Sequence, residues 1–251
     1  QSYESVCEIK ELMMVSKNMI SPQANRPVMG IIQDALVACR LFTKRDTLID
    51  KEDTMQLLMS IEEYDIPIPC ILKPKPLWSG KQLMSLLFFE GLGMRKYSAW
   101  HDSEQEQPWF SHSDTEIYID KMGEILTGVL CKKTLGASAG GLVHKAWLLD
   151  NQKACIMVSR IQFLVNKWLF FNGFSVGISD CVTTNTDEVC DLIKTNVDKV
   201  NAILGNLIKT GEHPSKKEGL ISNVLNNARD ASGRYVQKDL DTSNNLYTMV
   251  S

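Results

Sequence analysis

The sequence predicts an α+β fold, in which a mixed α/β domain precedes an antiparallel α-helical hairpin. Beyond residue 180, apolar residues recur every three or four positions in two stretches, which places an apolar stripe along each of two helices. A polar turn at 210–219 separates the stretches, as expected for a helical hairpin. Upstream of residue 180, helical periods alternate with short runs typical of strands. We therefore expect two domains, at 1–176 and 177–251.

The first part of the chain is predicted to contain short helices and an extended proline-rich segment. Apolar residues at 29–41 predict a helix, and Asp50 can cap the helix expected after it. The proline-rich run at 66–76 predicts an extended edge segment, because proline lacks the N–H that a central strand donates. Ser79 and Gln82 match a capping box, which predicts that a helix begins there.

The middle of the chain is predicted to contain a loop, a β-hairpin and a long helix. Residues 91–114 are polar and show no period, which predicts a surface loop. Apolar runs at 116–119 and 124–130 flank a turn and predict a β-hairpin. The apolar stretch at 154–171 predicts a helix that Gly173 can cap at its C-terminal end.

Composition excludes several classes of protein. Lysine and arginine number 27 against 30 aspartate and glutamate residues, and this net charge of −3 excludes a free-standing, generally basic nucleic-acid-binding protein. Any contact with nucleic acid is therefore expected to be local. The seven cysteines contain no CxxC pair, so no zinc site is expected, and their odd number favours reduced thiols. No stretch reaches the ~18 uninterrupted apolar residues of a membrane span, so no membrane partner is expected.

No reaction centre is visible in the sequence. Nucleotidyl transfer on two metal ions needs a dense group of carboxylates, whereas Asp239 and Asp241 have the polar setting of a solvated turn. Leu142 follows Gly141, at the place where a phosphate-binding P-loop needs a lysine. His144 is expected to pack or cap within a helix. We therefore predict no catalytic residue, no metal ligand and no cofactor in this chain.

Five segments carry a pattern that occurs in one known family. They are ISPQANRPVMGIIQD at 20–34, ILKPKPLWSGKQ at 71–82, KKTLGASAGGLVH at 132–144, NKWL at 166–169 continuing into NGFSVGI at 172–178, and NNARDASGR at 226–234. In their order and spacing they resemble the largest subunit of a eukaryotic-type, polymerase II-like DNA-directed RNA polymerase. The resemblance covers nearly the whole chain and is specific, because the segments are collinear.

The resemblance implies a place in the polymerase. Residues 1–176 would form the pore domain, with the tail of the active-site region at its N-terminal end, and residues 177–251 would form the funnel domain. Together they would line the secondary channel, through which nucleoside triphosphates reach the active site and backtracked RNA is extruded. The implied partners are the other polymerase subunits, nucleoside triphosphates, the RNA 3′ end and a transcript-cleavage factor. The loop that binds the catalytic Mg²⁺ of the parent polymerase is expected upstream of Gln1, so the chain itself is expected to be non-catalytic.

The resemblance also singles out residues along the channel. Lys132 and Lys133, beside a glycine-rich turn, are the candidates for phosphate contact, with a solvated pair as the simpler alternative. Asn25 and Gln33 resemble positions at the channel rim, where amides can hydrogen-bond ribose or base. A turn former and a helix-surface residue are the respective alternatives for these two.

A second set of residues is implied to lie near nucleic acid or near an inhibitor. Lys73, Lys75 and Lys81 are candidates for proximity to nucleic acid, and solvent exposure explains them equally well. Arg229 resembles a position in the pocket that binds α-amanitin between the funnel and the bridge helix.

Departures from the family pattern concern the source and the function. Alanine at Ala24 and Ala139, and a segment at 91–114 that aligns with nothing in the family, suggest a large cytoplasmic DNA virus such as a pox- or asfarvirus. That source predicts a location in the host cytoplasm and the virion, whereas a cellular enzyme would be nuclear.

The alternative function is a stand-alone interaction module whose helical hairpin docks a partner helix. Exposed apolar patches on residues 1–176 would favour the polymerase over such a module.

Overall fold

The structure, a computed structural model, describes residues 2–59, 61, 65–100, 114–182, 185–210, 214–241 and 244–250. The chain divides into two compact units, Gln1–Phe174 and Ser175–Ser251. The first unit combines helices with small antiparallel sheets and the second is helical, which confirms the predicted α+β fold class. The division lies close to the predicted boundary at residue 176, and the assignment of the units to pore and funnel stays a prediction.

The first unit alternates short helices with short strands. Its helical elements are α1 (Tyr3–Glu8), a π-helical turn (Ile9–Met13), a 3₁₀ turn (Val15–Lys17), α2 (Gln33–Phe42), α3 (Lys51–Leu58), α4 (Gly80–Ser85), α5 (Lys132–Leu135), α6 (Leu142–Leu149) and α7 (Asn151–Asn172). Its strands are β1 (Ile20–Ser21), β2 (Arg26–Pro27), β3 (Leu48–Asp50), β4 (Leu77–Ser79), β5 (Met94–Tyr97), β6 (Glu116–Ile119) and β7 (Ile125–Thr127). All strand pairs are antiparallel: β1 with β2, β3 with β4, and a sheet in the order β5-β6-β7.

The predicted β-hairpin is confirmed, but the loop predicted at 91–114 is wrong in its first part. Strands β6 and β7 pair with Ile119 opposite Ile125. Strand β5 lies inside the predicted loop and pairs with β6, with Met94 opposite Ile119. Only Met94 of β5 is buried, so the strand has no apolar alternation in sequence and depends on β6 for its formation. Residues 101–113 lie outside the described part of the chain.

Local capping signals predicted several helix boundaries correctly. The Ser79 hydroxyl accepts the N–H of Gln82 at 3.3 Å and the Gln82 side chain accepts the N–H of Ser79 at 3.2 Å, which confirms the capping box. Gly173 ends α7 with φ +68° and donates its N–H to Leu169. Helix α3 begins after Asp50, although the Asp50 side chain makes no capping hydrogen bond. Helix α2 begins only at Gln33, because the chain before it is extended against another segment.

Helix α7 is the central core helix of the first unit. It packs against α2 and α6, and the Phe42 and Trp168 rings meet edge to face with centroids 5.5 Å apart. Within the described residues, α7 is the one helix whose length and composition would suffice to cross a membrane, a property that core helices share. Its buried residues are Ala154, Met157, Ile161, Leu164, Val165 and Trp168.

The second unit contains the predicted helical hairpin. Its elements are a 3₁₀ turn (Ser179–Cys181), α8 (Thr186–Thr210), α9 (Pro214–Asp239) and α10 (Asn245–Val250). Asn185, just before α8, donates its side-chain amide to Asp239 at the end of α9 at 2.8 Å. The start of α8 therefore lies beside the end of α9, and the two helices are antiparallel. The polar turn at 211–213 lies outside the described residues.

Candidate functional site

The segment around α5 is fixed by buried threonines. The Thr134 hydroxyl accepts the N–H of Cys131 at 2.9 Å and donates to the carbonyl of the same residue at 2.8 Å. The N–H of Leu130 donates to the hydroxyl of Thr43, at the end of α2, at 3.0 Å. Because both threonines are fully buried, these bonds are shielded from water and hold the start of α5 in place.

Lys132 and Lys133, the first two residues of α5, are both exposed. The Lys133 ammonium donates to the carbonyl of Ser98 at 3.2 Å. In the opposite direction, the Lys96 ammonium reaches from β5 and donates to the carbonyls of Lys133 at 2.8 Å and Ala139 at 3.3 Å. The structure therefore adds Lys96, which the sequence did not single out, to the predicted lysine pair.

These lysines carry positive charge that no carboxylate of the described residues pairs with. In the described part of the chain, Lys96, Lys132 and Lys133 form no salt bridge. Burial lowers the pKa of Lys96, the charge of Lys133 lowers it further, and Cys131 acts in the opposite direction. Like charges brought together without counter-ions favour a bound anion.

The glycine-rich turn after α5 is held by its own hydrogen bonds. The Ser138 hydroxyl donates to the Lys133 carbonyl at 2.7 Å, and the N–H of Gly141 donates to the Ser138 carbonyl at 3.2 Å. Gly140 has φ +68° and donates its N–H to Nδ1 of His144 at 3.1 Å. His144 is buried in α6, so its predicted packing and capping role is confirmed.

The structure brings the Gln33 segment against the end of α5. The N–H of Ile31 donates to the carbonyl of Leu135 at 3.1 Å, and a Cβ added at Gly30 would lie 2.5 Å from the nitrogen of Ala137. Gln33 is exposed and has φ +53°, which is uncommon for a residue other than glycine and costs free energy. The lysine pair and Gln33 therefore lie on two segments that are in direct backbone contact.

Asn25 lies in the turn that joins β1 to β2, where it is exposed and has φ +46°. Asparagine tolerates this left-handed conformation better than most residues. Its turn-forming role is thus evident, and no hydrogen bond between Asn25 and the α5 segment occurs among the described residues. Its placement at a channel rim stays a prediction.

One family model matches residues 18–181, and its description is RNA polymerase Rpb1, domain 3. The chain belongs to this family. It is therefore part of the largest subunit of a DNA-directed RNA polymerase, as the sequence resemblance predicted. The match includes the segments that carry Asn25, Gln33 and the lysine pair, and it ends before the segment at 226–234. A viral source stays a prediction.

In this Rpb1 domain 3 chain, the three other candidate lysines have different environments. Lys73 and Lys75 are exposed in a loop closed by hydrogen bonds between Ile71 and Leu77. Lys81 is only 13% exposed and its ammonium lies 3.6 Å from a carboxylate oxygen of Asp114. Burial lowers the pKa of Lys81, and Asp114 partly opposes that change. Proximity to nucleic acid stays a prediction for all three.

Arg229 lies on α9 in the second unit and pairs with Asp230 at 2.9 Å. Both residues line a cavity of about 520 Å³. The other residues that line it are Gly233, Arg234, Val236, Gln237, Leu240 and Leu246. This wall combines a guanidinium with apolar surface, which suits a ligand that is both polar and apolar.

The described residues of this Rpb1 domain 3 chain do not form a cluster that fits a metal centre. Across the described ranges, no three histidine, cysteine, aspartate or glutamate side chains lie close enough together to hold a metal ion. We therefore assign no catalytic step to Mg²⁺ at this chain. The location of the polymerase Mg²⁺ site elsewhere in the subunit stays a prediction.

Proposed function

We propose that this chain forms part of the wall of the polymerase secondary channel, with residues 1–176 as pore and 177–251 as funnel. Nucleoside triphosphates would reach the active site through this channel, and backtracked RNA would leave by it. The observation that carries the proposal is the exposed lysine pair at the start of α5, which has no carboxylate partner among the described residues. The chain supplies no catalytic group, and the Mg²⁺ chemistry belongs to the rest of the enzyme.

Electrostatics supports this role. Nucleoside triphosphates and RNA are polyanions, and a few cations along their route raise the local concentration of substrate. Lysine ammoniums at the surface suit transient contact, because each is a mobile point charge whose interactions in water are weak. The Lys132 ammonium has no hydrogen bond or ion pair with the described residues and is thus available to a passing phosphate.

Exposed apolar side chains favour a polymerase subunit over a stand-alone module. Phe170 on α7 is 85% exposed, and Leu12 and Phe163 are also largely exposed on the first unit. Phe163 and Phe170 lie seven residues apart on one face of α7, and neighbouring exposed apolar side chains of this kind are typical of surface that packs against other protein. We therefore propose that other parts of the polymerase cover this surface.

The second unit would act as the funnel. We propose that it offers the docking surface for a transcript-cleavage factor and that the cavity at Arg229 is the remnant of the α-amanitin pocket. For the source, we propose a large cytoplasmic DNA virus, and hence the host cytoplasm and the virion. A cellular enzyme would instead act in the nucleus.

The test is steady-state transcription by the polymerase that contains this chain. Changing Lys132 and Lys133 together to alanine should raise KM for nucleoside triphosphates about two- to five-fold, with kcat unchanged, because weak surface contacts are lost. Lys121→Ala, in the exposed β6–β7 turn, is the matched control and should leave KM unchanged. An unchanged KM in the double variant would overturn the proposal. The purified chain alone should incorporate no nucleotide with Mg²⁺ or Mn²⁺.

A further inference from the structure

We infer that Lys96 completes a three-lysine polyphosphate-binding site with Lys132 and Lys133. Lys96 would both add a cation to the site and hold the segment that carries the other two. This inference deepens the proposed function, because it names a residue and a ligand chemistry for the same site. It rests on contacts between β5, α5 and the turn at 136–141, all within the first unit.

The Lys96 ammonium acts as a clamp. By donating to the carbonyls of Lys133 and Ala139, it joins the first turn of α5 to the glycine-rich turn that follows it. Ser138 donates to the same Lys133 carbonyl at 2.7 Å, so that oxygen receives two hydrogen bonds. A helix of only four residues is not stable alone, and these bonds keep α5 in place.

The clamp is reciprocal, and this brings two cations to one place. While Lys96 reaches from β5 to α5, Lys133 reaches back to the carbonyl of Ser98 at the end of β5. An ammonium has three N–H donors, so Lys96 retains one donor and Lys133 retains two. These spare donors, with the exposed Lys132, can bind phosphate oxygens.

An unpartnered buried hydroxyl lies on the residue whose carbonyl accepts from Lys133. Ser98 is fully buried, and its Oγ has no hydrogen-bond partner, although its carbonyl accepts from Lys133. A buried hydroxyl without a partner costs free energy, so Ser98 adds strain to the segment whose carbonyl accepts from the Lys133 ammonium. In the described ranges no carboxylate pairs with these lysines, and a phosphate group would supply that counter-charge.

The charge of the site favours a polyphosphate. Burial is the main cause that lowers the pKa of Lys96, Cys131 opposes it, and the nearby Lys133 charge adds a smaller lowering that a bound polyanion would offset. The phosphates of a nucleotide and of an RNA backbone share this chemistry. A triphosphate concentrates more charge on a small volume than a single phosphodiester does, so several lysines on one surface favour it more strongly.

The experiment titrates the purified chain with inorganic tripolyphosphate at low salt, by calorimetry. Lys96→Met and Lys133→Met should each weaken binding by about five-fold, whereas Lys121→Met should leave it unchanged. Lys96→Arg keeps the charge and can donate to two carbonyls, so it should retain most of the affinity. Ser138→Ala removes a hydrogen bond to the Lys133 carbonyl without changing charge, and it should weaken binding less than Lys96→Met does.

The outcomes separate this inference from the proposed function. Wild-type affinity in Lys96→Met, with weakened binding in Lys133→Met, would overturn the role of Lys96 and leave the channel proposal standing. If Lys96→Met lowers the thermal stability, Lys96→Arg decides the matter, and loss of binding in a stable Lys96→Arg would overturn the inference. No binding of tripolyphosphate by the wild-type chain would overturn the site as a whole. If single-stranded RNA competes with tripolyphosphate, the natural ligand of the site is the RNA backbone. If it does not compete, the natural ligand is a nucleotide. Both results support binding of phosphate groups by the three lysines.

Discussion

The N–H of Ile31 donates to the carbonyl of Leu135 at 3.1 Å, and this one bond joins the start of α2 to the end of α5. The two residues are far apart in sequence, yet their contact sets the distance between Gln33 and the lysine pair. The backbones approach so closely because Gly30 carries no side chain at the crossing. The approach of the Gln33 segment to the end of α5 therefore depends on this glycine.

Changing Gly30 to alanine should destabilise the first unit by about 1–3 kcal/mol, because overpacking forces the backbone apart. The added Cβ would lie 2.5 Å from the nitrogen of Ala137 and 2.6 Å from the carbonyl carbon of Gly136. Urea denaturation measures the effect. Gly205→Ala is the control: Gly205 lies in α8, an added Cβ would meet nothing there beyond the helix's own backbone, and the change should stabilise by about 0.5–1 kcal/mol. Equal effects of the two substitutions would contradict this account.

Two buried threonines should respond in opposite ways to replacement by valine. Thr43 accepts the N–H of Leu130 and donates to the carbonyl of Cys39, so Thr43→Val should cost about 1–3 kcal/mol by leaving a buried N–H unpaired. Thr54 is equally buried but its hydroxyl has no partner, so Thr54→Val should be neutral or stabilising. The free energy of unfolding of each variant tests the pair. A large decrease in the free energy of unfolding of Thr54→Val would show that the Thr54 hydroxyl does form a hydrogen bond.

The fold was predictable from sequence where the signals are local. The capping box at Ser79 and the glycine at Gly173 each act within a few residues, and both predicted helix boundaries are correct. Strand β5 was missed because its pairing partner, Glu116–Ile119, lies about twenty residues further on and its own residues are mostly polar. The late start of α2 was missed for the same reason, since Ile31 bonds to a distant segment.

The candidate site was predictable only in part. Lys132 and Lys133 came from the family resemblance, because charge alone does not separate a ligand contact from a solvated pair. Lys96 was invisible, since the residues it clamps lie 37 and 43 positions away. The sequence also does not indicate which lysines are buried. In the structure, Lys81 is far less exposed than Lys73 or Lys75.

The cysteines should differ sharply in reactivity. Burial raises the pKa of the Cys39 thiol well above its ordinary value, and the thiolate is the reactive form. Cys7, Cys70, Cys181 and Cys190 are exposed and unpaired. With iodoacetamide near neutral pH, mass spectrometry should find these four labelled first and Cys39 labelled only after denaturation. Labelling of Cys39 at the rate of Cys190 would contradict the buried core around α2.

Replacing Asp114 should destabilise the first unit. Its carboxylate pairs with Arg45 at 3.0 Å and with the largely buried Lys81 at 3.6 Å. Asp114→Asn leaves the Lys81 ammonium in a poorly solvated place without its counter-charge. The expected loss in the free energy of unfolding is about 1–3 kcal/mol near neutral pH, because part of the network is open to solvent.

The loss in the free energy of unfolding caused by Asp114→Asn should become smaller as the pH rises. Burial already lowers the pKa of Lys81 from 10.5 in the folded chain, and removing Asp114 lowers it further. At alkaline pH values below 10.5, the unfolded variant then holds more protons on Lys81 than the folded variant does. The contribution of Lys81 to the stability of Asp114→Asn therefore rises with pH. Urea denaturation at neutral pH and at pH ~10 measures how the free energy of unfolding of Asp114→Asn changes with pH. The double variant that also carries Lys81→Met should lose this extra dependence on pH. A slope equal to that of the wild-type chain would show that Asp114 does not stabilise the Lys81 charge.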